Sequence, residues 1–268
     1  VGGELMSSIN QNRFSPRTTR LLFVVILILC WELLPRFGYI PTLFLPPLSD
    51  ALMALWGSLS EYLTHLWFST QAIGLAIVIA CGAGIGLGLL LSTSRALVGI
   101  AQQLASSGYA VPIVILYPLF TAWFGIGMHS KVAFASIYGF FPCFLGTLAG
   151  VKTIDRHYIT IARSLGASRR QLIFRVLLPA AIPTILSAFR VGGSLVIVGV
   201  VVAEMLTSAQ GVGYLITRYR GSLDSAKVFA GILIVVAVVL IFDQLIRYLE
   251  RRTGFWRLST QSSENVGA

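Results

Sequence analysis

Six apolar runs with few or no charges, each close to the roughly 20 residues that a helix needs to cross hydrocarbon, decide what this chain can fold into. They span residues 21–40, 66–91, 98–123, 132–151, 181–203 and 228–246, with charge or Gly/Pro punctuation between them. A bilayer offers the backbone no hydrogen-bond partner, so such runs cross it as helices. The fold class is therefore all-α integral membrane, with about six transmembrane helices. Glu32, Pro35 and Arg36 interrupt the first run, and the last is short before Asp243. The organisation read from the runs is an N-terminal segment 1–20, a transmembrane domain 21–250 and a tail 251–268.

With 56% hydrophobic and 11% charged residues, the net charge of +10 does not describe a soluble nucleic-acid-binding face. The basic residues stand between spans and orient the chain. With the N-terminus inside, fourteen Lys and Arg fall on the cytoplasmic side, five fall outside, and Arg190 lies within a span. Both termini and the basic stretch 152–179 are then cytoplasmic. Arg13, Arg17 and Arg20 ahead of an apolar run resemble a signal peptide, but no small-residue cleavage site follows, so the run reads as an uncleaved first span. Met6 is a plausible natural start, which would make residues 1–5 an upstream extension.

Bond chemistry finds little to work with. Cys30, Cys81 and Cys143 sit inside apolar runs with no CxxC spacing and read as small core residues. His65, His129 and His157 form no HExxH pair, and the sequence contains no GxxxxGK[ST] phosphate loop, no GxSxG elbow and no paired intramembrane carboxylates. No metal or cofactor is expected on this chain, and any use of ATP belongs to another one.

The polar stretch 152–179 carries local instructions. Asp155 can cap a helix running to Leu165. Gly166 supplies a left-handed stop, and Ser168 with Gln171 has capping-box spacing for a second helix toward Pro179. This predicts two short helices joined by a tight turn, a shape suited to a groove on a soluble partner; the alternative is a solvated basic loop. Between the first two runs, Ser49 or Asp50 can cap a short amphipathic helix over 51–56 that lies on the membrane surface.

Inside the bilayer, Gly82, Gly84, Gly86 and Gly88 form two overlapping GxxxG pairs that admit close helix contact, within the chain or with a second copy. Gly192, Gly193 and Gly199 offer a similar face on the fifth run. Pro112 and Pro118 are each expected to bend the third run, where broken backbone either lines a cavity or packs on protein. Tyr109, Tyr117 and Trp123 present polar edges there, or pack as aromatics. Arg190 and Glu204 stand about 21 Å apart along one helix and cannot pair. Arg190 is expected to snorkel inward. Glu204, with no second carboxylate or histidine in a chain with it, reads as a structural or gating contact.

Residue order adds a resemblance. Ala162, Gly166, Val176 and Leu178-Pro179 stand in register with the EAA loop of permease subunits of bacterial ABC importers, with Thr160 and Ile161 in place of its first Glu and Ala. The likeness continues through Phe44-Leu-Pro-Pro47, Trp123-Phe-Gly-Ile-Gly127, Ser130-Lys131, Phe140-Phe-Pro142, Leu148-Ala-Gly-Val-Lys152, Leu165-Gly-Ala-Ser168, Ala203-Glu204-Met205, Gly211-Val-Gly213 and Gly254-Phe-Trp256-Arg. This combination resembles the nitrate, taurine and aliphatic-sulfonate branch. The resemblance implies a type I importer transmembrane domain in the bacterial inner membrane, with 152–179 as its coupling loop. It implies a second, identical permease subunit, two ATPase subunits carrying ATP and Mg, and a periplasmic substrate-binding protein. It assigns ATPase coupling to Thr160, Ala162, Arg163, Leu165, Gly166, Ala167, Ser168 and Pro179. The expected translocation-pathway residues are Tyr109, Pro112, Tyr117, Pro118, Gly193 and Glu204.

Overall fold

Long apolar runs become long helices in the computed structural model, which describes residues 16–92 and 94–253, even where Pro142 and Pro183 stand inside them. In chain order these are α1 (Pro16–Arg36), α2 (Leu48–Gly57), α3 (Leu59–Leu91), α4 (Arg95–Tyr109), α5 (Tyr117–Phe124), α6 (Met128–Lys152), α7 (Arg156–Ser164), α8 (Arg169–Leu172), α9 (Leu178–Leu206), α10 (Val212–Gly221) and α11 (Ser225–Thr253). Five described helices are long and apolar enough to cross a membrane, and a bent pair makes a sixth. Residues 1–15, Met6 among them, and the Gly254-Phe-Trp256-Arg stretch lie outside the described residues.

The centre is a three-helix pack of α3, α6 and α9. Between helices solvated by lipid there is little hydrophobic gain, so close backbone approach and dispersion carry the packing. Glycine provides the approach. A Cβ on Gly84 would lie 2.8 Å from the Phe140 carbonyl of α6, and one on Gly88 would lie 2.8 Å from Thr147 Cβ. The Gly84/Gly88 pair therefore packs within the chain, whereas Gly82 and Gly86 have nothing within 4 Å. On the other side of α6, Gly139 and Gly192 meet backbone to backbone, each leaving no room for a Cβ. The Cys81 and Cys143 sulfurs lie 3.0 Å apart in this seam, while Cys30 is exposed on α1.

Four expectations need correcting. The run 98–123 is not one kinked helix: α4 ends at Tyr109, a 3₁₀ turn covers Ile113–Leu116, and the two limbs meet at 76°. Pro112 makes this break, since it disfavours helical backbone at Val111 and lacks an N–H. Pro118 bends nothing, because it sits in the first turn of α5, where a missing N–H costs no bond. The segment after Ser168 is not a separate short helix. It runs through a π-helical turn, Ile173–Leu177, straight into α9, giving one helical rod from Arg169 to Leu206. The wide turn, with Leu178 N–H bonded to the Ile173 carbonyl, brings the chain onto Pro179 without ending the helix.

Finally, neither Ser49 nor Asp50 caps α2. The Glu32 carboxylate on α1 accepts from Ser49 N–H at 3.0 Å and from Ser49 Oγ at 2.9 Å, supplying the cap from another helix. The same carboxylate pairs with Arg36, so the charges interrupting the first run fasten α1 to α2.

The glycine seam yields a test. Gly139→Leu would force a side chain into space where even a Cβ lies 2.4 Å from Val196 Cγ2, and should cost at least about 1–3 kcal/mol. Gly86→Ala should be neutral or slightly stabilising. Thermal unfolding in detergent separates the two.

Candidate functional site

Two polar constructions stand at opposite ends of the α8–α9 rod. At the first end, Asp155 Oδ1 accepts from His157 N–H at 2.9 Å and opens α7. The helix closes with a pair of reversed bonds. Gly166 N–H donates to the Arg163 carbonyl at 2.9 Å and Ala167 N–H donates to the Ala162 carbonyl at 3.0 Å, while Gly166 adopts φ +75°. This is a Schellman stop, and it requires the left-handed conformation that glycine accepts without steric cost. Two residues on, Ser168 N–H donates to Gln171 Oε1 at 2.8 Å and Gln171 N–H donates to Ser168 Oγ at 3.3 Å, completing the capping box.

One face of this turn is anchored and the other is open. Ile159 and Ala162 pack on the cluster of Leu89, Val151, Leu172, Leu177, Ala181 and Ile185. Tyr158, Ile161 and Leu165 point away from it, with Leu165 82% exposed. Thr160, Arg163, Gly166, Ser168, Arg169 and Arg170 are exposed around them. The turn thus presents apolar side chains within a basic rim, which is the composition of a buried interface core with a polar margin. Pro179 does not belong to it: eleven residues of continuous helix carry it about 16 Å from Ser168. Tyr158 stands at no cap or motif position; in the sequence only the helical spacing of 158, 161 and 165 marks it.

At the far end, Glu204 is 1% exposed and lies amid groups from four elements. Ser69 Oγ of α3 donates toward both its oxygens at 3.0 and 2.8 Å, and Gly213 N–H of α10 donates to Oε2 at 3.1 Å. Lys131 Nζ of α6 stands 3.5 Å from Oε1. Ser69 Oγ also accepts from Val212 N–H at 2.9 Å, and His65 Nδ1 accepts from Gly211 N–H at 3.0 Å. The first N–H groups of α10, which have no partner in their own helix, are thus satisfied by side chains of α3 and α9. Gly211 is needed for contact, since a Cβ there would lie 2.0 Å from the Glu204 carboxyl carbon. Farther along α10, Arg218 pairs with Glu61 at 2.9 Å and Tyr219 OH donates to the other Glu61 oxygen. Burial and that carboxylate raise the Tyr219 phenol to about 12.

The expected pathway residues do not converge. Tyr109, Pro112 and Pro118 are exposed around the broken span. Tyr117 is 1% exposed, edge-on to Phe134 with ring centroids 4.9 Å apart, and its hydroxyl donates to the Thr207 carbonyl at 3.4 Å. Together with Ile113 and Phe120 it packs the 3₁₀ turn and α5 onto Phe134 of α6 and Ala203 of α9, while residues 109–112 at the break stay exposed. Gly193 faces no open space, because Phe242 of α11 occupies the position a Cβ would take. An apolar groove of about 700 Å³ lies instead between α3, α5 and α6, with Leu75, Ile79, Trp123, His129 and Phe140 in its wall. Arg190 does not simply snorkel: it lies 3.8 Å from Asp243 and 3.7 Å from Glu250 of α11. No histidine bonds Glu204 in the structure; His65 instead accepts from Gly211 N–H at the start of α10, 146 residues away. Ser69 and Lys131 reach Glu204 itself from 135 and 73 residues away, beyond any local pattern.

Residues 79–255 match the family described as binding-protein-dependent transport system inner membrane component. The chain belongs to that family. It is a multi-pass permease subunit of the inner membrane, of the ABC importer kind. It is 33% identical over 241 residues to a putative aliphatic sulfonates transport permease protein of Bacillus subtilis, covering 89% of this chain and 87% of that protein. It is 31% identical to the taurine transport system permease protein of Escherichia coli, covering 89% of each. Identity to the formylaminopyrimidine transport permease protein of Halalkalibacterium halodurans is 30%, covering 88% of this chain and 94% of that one. Among solved structures, an inward-facing methionine ABC transporter chain superposes with a TM-score of 0.63 at 17% identity, covering 70% of this chain and 93% of its own. A chain of a bacterial alginate importer gives 0.61 at 19%, covering 87% and 94%. The permease is thus a type I importer transmembrane domain in fold.

The carboxylate cluster predicts its own energetics. Ser69→Ala removes a donor to Glu204 and the acceptor for Val212 N–H, and should cost about 1–3 kcal/mol. Gly211→Ala should cost more, since it adds a clash to a backbone at φ +112°. Unfolding in detergent micelles checks the order.

Proposed function

We propose that this permease forms the solute pathway of an ATP-driven importer and that residues 152–179 are its docking element for a separate ATPase. One observation carries this reading. The Gly166 turn, fixed by a Schellman stop and a capping box, holds Tyr158, Ile161 and Leu165 outward and continues into the α8–α9 rod. A partner that grips the turn grips the rod, and its displacement reaches the far end of the bundle about 55 Å away. The excess of Lys and Arg on the side of the turn supports a cytoplasmic turn and cytoplasmic termini.

In this reading two ATPase subunits hold ATP and Mg, this chain performs no bond chemistry, a second identical copy completes the pathway, and a periplasmic binding protein delivers the solute. The curated relatives named for sulfonates, taurine and formylaminopyrimidine support a small polar nutrient as cargo.

Gly166→Val places a β-branched residue at φ +75°, and Leu165→Glu leaves the backbone intact while charging the centre of the open face. Both proteins should insert in the membrane. Each should lose the copurifying ATPase, or its solute-stimulated hydrolysis, by at least about tenfold. Full coupling in both variants, or uptake by the purified chain with no ATPase present, would overturn the proposal.

A further inference from the structure

Beside the Glu204 cluster lies a cavity of about 350 Å³, walled by Phe68 and Gln71 of α3, Met128 and Lys131 of α6, and Ser208 and Gln210 of the connection into α10. That volume suits a small molecule. Lys131 is 5% exposed, so its wall contains a nearly buried ammonium. The three acceptors around that ammonium are Ser208 Oγ at 3.2 Å, the Gln210 carbonyl at 3.2 Å and Glu204 Oε1 at 3.5 Å. The two neutral oxygens stand at ordinary hydrogen-bond distance, whereas the one charged acceptor, the Glu204 carboxylate, is the farthest, beyond the roughly 2.7–2.9 Å usual when a cation donates to a carboxylate.

The carboxylate has closer partners of its own. Ser69 and Gly213 N–H hold it at 2.8–3.1 Å, and it sits at the N-terminal, positive end of the ten-residue α10. Glu204 is therefore compensated mainly by Ser69 and α10, while the Lys131 ammonium meets two neutral oxygens more closely than it meets the carboxylate. The arrangement leaves a nearly buried cation in the wall of a solute-sized space that Gln71 also lines.

We propose that this cavity binds a small oxyanion, with Lys131 as the charged donor and Glu204 as the group that positions Lys131 when the cavity is empty. A sulfonate, nitrate or carboxylate oxygen takes the place of Ser208 Oγ on the ammonium, and the apolar part of an organic solute rests on Phe68 and Met128. The cavity lies at the end of the bundle opposite the Gly166 turn. Its role as the first stop for an imported solute rests on the importer reading, whereas the binding itself does not.

The test uses the purified permease, with whatever ATPase accompanies it, in nanodiscs. Methanesulfonate, taurine and nitrate are titrated in turn while the unfolding midpoint is followed. At least one should protect the wild type saturably. Lys131→Met should weaken that binding at least about tenfold, and Lys131→Arg should keep it within about threefold. Glu204→Gln should tighten it, because the ammonium loses its counter-ion, a gain that a merely bracing role would not produce. Should either single variant fail to fold, the double variant Lys131→Met with Glu204→Gln removes both charges together and should fold without oxyanion binding.

Protection by none of the three anions, unchanged binding in Lys131→Met or the double variant, or loss of binding in a folded Glu204→Gln would overturn the site. The two readings separate within one preparation. A bound ATPase without oxyanion protection sinks the site and spares the importer, and protection of a chain that never captures an ATPase does the reverse.

Discussion

Hydrocarbon gives a polypeptide nothing to hydrogen-bond, and the architecture follows from that refusal. It makes every long apolar run a helix, and it removes the hydrophobic incentive for helices to meet, leaving close packing to do the work. Gly84, Gly88, Gly139 and Gly192 answer with backbone contacts that any larger residue would block. Around the break at Pro112, the segment that follows is anchored through Ile113, Tyr117 and Phe120 on Phe134 and Ala203, while residues 109–112 stay exposed. The same refusal governs charge, since the ionisable groups within α9 stand in pairs, Arg190 with Asp243 and Glu250, and Glu204 with Lys131.

Against this rigid background the α8–α9 rod stands out for its two unlike ends. Its first turn is bonded to the Gly166 motif by the chain itself, and the π turn beside it is a local departure from regular helix of the sort found where helices shift or bend. Its last turn is locked by Glu204 to three other elements. One end is thus built to be gripped, and the other to carry position into α3, α6 and α10. Arg190 fastens the middle of the rod to α11, so a displacement of the turn is resisted along its length and cannot be absorbed by one loose joint.

How much of this was legible in the sequence depended on the range of the interaction responsible. Span existence and the all-helical class follow from composition over windows of about twenty residues. The Asp155 cap, the Gly166 stop and the Ser168–Gln171 box were legible because caps are settled within a few residues. Pro112 and Pro118 look alike in sequence, yet one breaks a helix and the other begins one, because their effects depend on where the preceding helix has already ended. Ser49 has the chemistry of a cap but gives its hydroxyl to Glu32, a partner from another helix that no local pattern reveals. The Glu204 cluster is the extreme case. Its members are scattered over most of the chain, and three ordinary residues, Ser69, His65 and Lys131, acquire meaning only from tertiary packing.

The persistence of charge in that cluster is itself informative. Desolvating a carboxylate and an ammonium costs several kcal/mol each, and a hydrophobic pair of similar volume often does as well for stability. A cluster kept only for stability would also be expected to close its ion pair. Here the pair stays open at 3.5 Å while the carboxylate's other bonds are short, so the packing spends its geometric precision on fixing Glu204 and the start of α10. Lys131 is left at the cavity wall, nearer to two neutral oxygens than to the carboxylate. Length alone does not separate this cluster from the Arg190 pairs, which stand at 3.8 and 3.7 Å; what separates it is the space beside Lys131, since the Arg190 partners are held between two helices and no cavity adjoins them among the pockets described.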